Sequence, residues 1–238
     1  MGPRMLMIHG SAADRTTWSI QLAGPLASQF SLIAYDRRVD APSVEAHADD
    51  AIAQLADDPE PAFVVGSSFG SVIALDAIRR YPDRFRGAVL IEPPMAATDA
   101  ALAVNRDFFA AFDRTVETAG GPAAAELFLR TVLGDTAYER MPRAYQERSK
   151  AKWAAIRADS HALISYQPRY AELATVTVPV LLLGGERSAP YFRPTLERLL
   201  GVLPNARLEV IAGAGHMLHA EAHRRFTEVV LAFAASLA

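Results

Sequence analysis

"AFVVGSSFGSVIALDAIRRYP", residues 62–82, runs from four apolar residues through a glycine-flanked serine into a segment with apolar residues at helical spacing. Phe63-Val64-Val65 reads as a strand buried on both faces, and Val72, Ile73, Leu75 and Ile78 form one stripe of a helix. Between them, Gly66-Ser67-Ser68-Phe69-Gly70 fits the pattern G-x-S-x-G. A direct strand-to-helix turn brings the two backbones so close that side chains at the glycine positions would collide. Ser68 is then left projecting at the positive end of the helix, with the Phe69 N–H free to point at an oxyanion. The plainer reading is a Gly/Ser turn without chemistry, in which Ser67 and Ser71 merely pack the bend.

Working outward, short apolar runs bounded by turn residues recur at Met5–His9, Ser31–Tyr35, Ala62–Gly66, Ala88–Ile91, Val178–Leu183 and Arg207–Ile211. None shows polar alternation, so they read as buried parallel strands. Helical spacing appears between them at Trp18–Gln29, Val44–Ala56, Phe69–Arg80, Tyr191–Leu200 and His219–Leu237. This alternation predicts an α/β fold: a doubly wound, mostly parallel sheet with helices on both faces. From Met95 to Thr177 the alternation stops. Ala100–Thr118, Ala123–Leu133, Arg143–Arg157 and Ser160–Tyr166 have helical spacing, punctuated by Gly120-Gly121-Pro122, Gly134, Pro142 and Pro168. The expectation is a core of residues 1–94 and 178–238 with a helical insertion over 95–177.

At 238 residues and 51% hydrophobic, the chain is long enough to bury a full core. A formal net charge of -3, with lysine only at Lys150 and Lys152 and both charge signs interleaved, offers no face for nucleic acid or an anionic membrane. The absence of cysteine excludes disulfides, thiolate metal sites and a cysteine nucleophile. Only Arg4 precedes the short apolar run at the N-terminus, too short for a signal-peptide core or a membrane span. A soluble, cytoplasmic protein is expected.

A serine nucleophile needs a base, and six histidines compete. His216 lies in "AGAGHMLHAEAHRRF", a glycine-rich loop between a strand and a helix, from which its ring can reach the C-terminal edge of the sheet. His219 and His223, four residues apart on the following helix, are expected to face solvent or to pack. His9 belongs to another element, and His47 and His161 have no loop context that singles them out.

The segments "MLMIHGSAADRTTW", "LIAYDRRVDAPS", "FVVGSSFGSVIALDAIRRYPDRFRGAVLIEP", "VPVLLLGGERSAP" and "LEVIAGAGHMLHAE" resemble the successive landmarks of α/β-hydrolase-fold enzymes. The resemblance covers the chain apart from the helical insertion, which corresponds to that family's cap. It implies a serine hydrolase in which Ser precedes His along the chain. It also implies an oxyanion hole from the backbone N–H groups of Ser11, after His9-Gly10, and of Phe69. No metal and no organic cofactor is implied.

The sequence departs from the family at the triad acid. After "VPVLLL" the usual aspartate position holds Ser188, in Gly185-Glu186-Arg187-Ser188. Glu92 offers a replacement, because it ends the strand after the elbow, 24 residues beyond Ser68, and a buried strand seldom ends in a carboxylate by accident. Pro93 is expected to hold Glu92 in an extended backbone. The position resembles the acid of many haloalkane dehalogenases and of zearalenone lactonases. Haloalkane dehalogenases use an aspartate nucleophile where this chain has Ser68, which leaves ester or lactone hydrolysis. Glu186 is the fallback acid, and a strand-end Glu92 satisfied by backbone N–H groups is the plainer reading.

The expected activity is cleavage of a carboxylic ester or lactone of a mainly apolar small molecule. The aromatics Phe108, Phe109, Phe112, Phe128, Tyr138, Tyr145, Trp153 and Tyr166 in the insertion are expected to supply both an apolar pocket and packing. A carbon–carbon hydrolase or lyase on the same residues, and a ligand receptor without turnover, are the alternatives. A homo-oligomer is compatible with the sequence, which does not choose a subunit number.

Overall fold

The computed structural model describes residues 2–55, 58–166 and 170–237. Ala56, the end of one expected helix, and Pro168 lie outside them. Among the described residues six strands form one sheet: β1 (Arg4–Ile8), β2 (Ser31–Ala34), β3 (Ala62–Ser67), β4 (Phe85–Ile91), β5 (Val180–Gly185) and β6 (Ala206–Ile211). Their order is β2-β1-β3-β4-β5-β6 and every pair is parallel. The chain first steps from β1 to β2 and then reverses through β3 to β6. The direction changes between β1 and β3, and a crevice opens at such a point beyond the carboxyl ends of the strands.

Side chains alternate across the sheet and both faces are covered, so the inner strands carry no polar face, while the edge strand β6 exposes Arg207. Leu6, Ile8, Val64, Leu90 and Leu182 point to one side, beneath the helices Val44–Ala53, Phe69–Arg80 and Phe192–Val202. Met5, Met7, Val65, Ile91, Leu181 and Leu183 point to the other, against Trp18, Leu26 and the helix His223–Ala235.

Two of the expected helices that flank the sheet are each broken in two. Trp18–Gln29 is divided into Ser19–Leu22 and Leu26–Gln29. Pro25 removes a backbone donor and disfavours helical geometry at Gly24, so the break falls there. The C-terminal helix is divided into Leu218–Glu221 and His223–Ala235.

Between β4 and β5 the described residues hold only helices: Asp99–Ala119, Gly121–Leu133, Asp135–Arg140, Arg143–Lys150, Trp153–Ser165 and Tyr170–Leu173. Arg143–Arg157 was expected as one helix, whereas a turn at Ala151-Lys152 starts a new helix that runs on to Ser165. This layer has a small core of its own, in which Phe112, Ala124, Ala125, Leu129, Tyr138 and Ile156 meet Ala12 from the sheet side. Among the described residues no helix is long and apolar enough to cross a membrane.

Candidate active site

The turn at Ser68 has the strain its glycines imply. Ser68 sits at φ 54° and ψ -123°, a conformation that L-residues rarely adopt, immediately before the helix Phe69–Arg80. A Cβ at Gly66 would collide with the backbone of Gly70 and Ser71, and one at Gly70 with the carbonyls of Ile8 and His9. Ser71 is buried and donates from its hydroxyl to the carbonyls of Gly66 (2.7 Å) and Ile91 (2.9 Å), tying the bend to β4. Ser67 is buried in β3. Ser68 alone of the three serines faces a cavity.

The loop after β1 lies directly under this turn. A Cβ at Gly10 would stand 2.9 Å from both the Ser67 carbonyl oxygen and the Ser68 Cβ, so only glycine lets the two segments touch. Ser11 follows it on the cavity wall. Phe69 opens its helix, so its N–H has no partner within that helix. The two backbone donors singled out in the sequence therefore stand on the two segments that meet at Ser68.

Glu92 and His216 meet on the same edge of the sheet. His216 Nδ1 lies 2.6 Å from Glu92 Oε2, with both side chains buried. The second oxygen, Oε1, accepts the Gly185 N–H at 2.7 Å. Because a carboxylate can only accept, the proton of the pair sits on Nδ1 and leaves Nε2 as an acceptor. Phe192 stacks on the imidazole, with centroids 4.4 Å apart and planes 8° from parallel. No hydrogen bond joins the Ser68 hydroxyl to His216 among the described residues.

Glu92 does not have the extended backbone that Pro93 suggested. Its φ is 43°, in the left-handed region. Tertiary bonds override the local preference, since the Glu92 N–H donates to the Leu183 carbonyl at 3.1 Å while both carboxylate oxygens are held. Glu186 is turned away and accepts the Gly213 N–H at 2.7 Å. Ser188 is at the usual acid position, but its hydroxyl is buried without a hydrogen-bond partner.

The other histidines separate clearly. His223 is exposed, and His161 is exposed beside Asp113 at 3.2 Å. Of the two expectations for His219, solvent or packing, the structure has packing: it is buried with Nε2 3.2 Å from the Thr17 hydroxyl and its ring against Trp18. Burial, with the neighbouring His216, pushes it down to about 3. The short break before His223 turns His219 inward rather than along the solvent face.

Ser11, Ser68 and Phe69 line a cavity of about 350 Å³. Its walls are mostly apolar, with Met95, Val104, Phe108, Phe109, Phe128 and Leu163 from the β4–β5 segment and Phe192 from beside His216. Phe112, Tyr138 and Trp153 serve instead in the core of the helical layer. Tyr166 packs on the sheet-side core and donates to Asp76 at 3.2 Å. Among the described residues no group of three His, Asp or Glu is arranged to hold a metal ion.

The sequence profile of the alpha/beta hydrolase family matches residues 5–229. This chain is an alpha/beta hydrolase. Among its curated relatives is the carboxylesterase YbfK of Bacillus subtilis, 25% identical over 250 aligned positions that cover 97% of this chain and 80% of the relative. Among solved structures, a thermophilic esterase from Thermogutta terrifontis superposes with a TM-score of 0.81 at 22% identity, covering 100% of this chain and 91% of the esterase. Est816, described as an N-acyl homoserine lactone degrading enzyme, superposes with a TM-score of 0.76 at 21% identity, covering 98% and 93%. At those identities the superpositions speak to the fold.

The hydrolase also holds a buried polar cluster that the sequence reading passed over. Arg37, in the loop after β2, makes a two-pronged ion pair with Asp159 of the helix Trp153–Ser165, at 2.9 and 2.7 Å. His9 and His47 flank it, and burial reinforced by the Arg37 charge pushes each down to about 4. One signal was available: Asp159 shares a stripe with Ile156, Ser160 and Leu163 at helical spacing, a charge on a face otherwise turned inward.

Proposed function

We propose that the hydrolase cleaves a carboxylic ester or lactone of a mainly apolar small molecule through an acyl-enzyme on Ser68. The observation that carries this reading is the 2.6 Å contact of Glu92 with His216 Nδ1, on the sheet edge where the strained Ser68 turn opens into an apolar cavity. Glu92 fixes the tautomer, so that His216 Nε2 accepts the Ser68 proton as Oγ bonds to the carbonyl carbon. The charge that develops on the carbonyl oxygen is met by the Ser11 and Phe69 N–H groups. His216 gives its proton to the departing alkoxide. A water then attacks the acyl carbon, losing a proton to His216, which passes it to Ser68 Oγ as the acyl–oxygen bond breaks and the acid is released. In a lactone the alkoxide stays tethered to the acyl group, and the same steps open the ring.

In this reading residues 1–94 and 178–238 carry the chemistry, and residues 95–177 form a cap that selects substrates through the cavity wall. The carboxylesterase relative supports ester cleavage, and the fold shared with a lactone-degrading enzyme supports including lactones in the test. A screen of p-nitrophenyl esters of increasing acyl length, beside acyl-homoserine and simple alkyl lactones, decides. A burst of nitrophenol equal to the enzyme concentration is expected. Binding without any turnover across both series would overturn the proposal.

A further inference from the structure

The Arg37–Asp159 pair bridges two parts of the chain 122 residues apart, and both side chains are buried, at 4% and 5% exposure. A buried ion pair is a weak source of net stability, because desolvation offsets much of the attraction. What this one touches is more telling. Beyond Asp159, the Arg37 guanidinium donates from Nε to the His9 carbonyl at 3.1 Å and from a terminal nitrogen to the Gly10 carbonyl at 3.2 Å.

The Gly10 carbonyl belongs to the same peptide unit as the Ser11 N–H. That unit is planar and, with no cis bonds among the described residues, trans, so its C=O and N–H point in opposite directions. Any group that grips the carbonyl thereby aims the N–H. His9 supplies a second grip, with Nδ1 2.8 Å from the Gly10 oxygen, while its Nε2 accepts the Arg37 backbone N–H at 3.2 Å. Asp159 holds the other end of Ser11, accepting from its hydroxyl at 2.7 Å. The Arg37 guanidinium also lies over the Phe69 ring, 5.0 Å from its centroid.

We infer that Arg37 and Asp159 are positioning residues for the oxyanion hole. Arg37 clamps the peptide that carries the Ser11 N–H, and Asp159 is the counter-ion that keeps the clamp in place. Because Asp159 stands on a helix of the β4–β5 segment and also lines the cavity, the hole is complete only while that helix is docked over Ser68. This rests on the proposed role of Ser11 as an oxyanion donor.

Three variants test it by kcat, KM and melting temperature with p-nitrophenyl butyrate. Arg37→Lys keeps a positive charge beside Asp159 but cannot hold a carboxylate with two prongs and two carbonyls at once. It should lower kcat by about tenfold to a hundredfold, part of the effect of deleting an oxyanion donor, with KM within about twofold. Asp159→Asn should act in the same direction. The double variant Arg37→Met, Asp159→Leu replaces the pair by apolar groups of similar size and should regain the parental melting temperature without regaining kcat. A parental kcat in Arg37→Lys, or a double variant that recovers rate together with stability, would overturn the inference. If the double variant does not fold, Arg37→Lys decides alone. Loss of activity in Ser68→Ala beside a parental rate in Arg37→Lys sinks this inference only, whereas activity surviving in Ser68→Ala sinks the reading beneath it.

Discussion

Glu92 reaches His216 Nδ1 at 2.6 Å from a backbone held at φ 43°. A non-glycine residue in that region costs on the order of 1–3 kcal/mol, tolerated where surrounding bonds over-determine the position. Here three bonds do so: to Leu183, Gly185 and His216. The proposed nucleophile and the proposed acid, Ser68 at φ 54° and Glu92, thus both have a strained backbone. Glu92→Gln keeps the shape and an acceptor for Gly185, yet its amide would donate to Nδ1 and impose the wrong tautomer. Turnover should fall by around four orders of magnitude, as for the corresponding change in a serine protease, with the melting temperature little altered. Glu186→Gln should cost far less and Ser188→Ala should be nearly silent. Full activity in Glu92→Gln would remove Glu92 from the mechanism.

Ser68→Ala should abolish ester cleavage, by about a million-fold if the three residues act as a unit. The variant should fold, because the bend is held by Gly66, Gly70 and the Ser71 hydroxyl rather than by Ser68. Activity and a melting curve recorded on the same preparation check both halves. More than about a tenth of parental activity would exclude Ser68 as the nucleophile.

The features legible in the sequence were those set by neighbours along the chain. The Ser68 bend needs glycine at two nearby positions, and the buried strands need uninterrupted apolar runs, so both leave local marks. A carboxylate at the end of an apolar strand was visible for the same reason. Its positive φ was not, because bonds to Leu183 and Gly185 outweigh the preference imposed by Pro93. For His219 the choice between solvent and packing was not legible, because its burial depends on Thr17 and Trp18, with Thr17 202 positions away. Arg37 was passed over since it has no local reason to be inside, and Asp159, marked only by its place on an inward helical stripe, finds its partner 122 positions away.

Cavity shape should set acyl-chain preference. Phe108 and Phe128 pack against each other on the wall, with centroids 6.4 Å apart, and neither belongs to the proposed catalytic set. Phe108→Ala and Phe128→Ala should shift the ranking of ester chain lengths toward longer acyl groups by roughly 1–3 kcal/mol in relative kcat/KM. The rate on p-nitrophenyl acetate should hold to within a few-fold. A uniform loss on every ester, with no change of ranking, would assign these rings to packing instead.

Acid should destabilise the fold through its buried histidines. Burial is the leading cause that lowers His9 and His47 to about 4 and His219 to about 3, from an ordinary 6.5. Between those values and 6.5 each ring is protonated in the unfolded chain but neutral in the folded one. Their contribution is therefore fully present above about pH 6.5 and declines as pH falls toward 4. Each depressed histidine contributes a slope of about 1.4 kcal/mol per pH unit in that window, and three together correspond to about three protons taken up on unfolding near pH 5. Urea unfolding across pH 4.5–7.5 reads this slope directly. A free energy of unfolding that stays flat between pH 5 and 6 would show that these rings are already charged, or exposed, in the native protein.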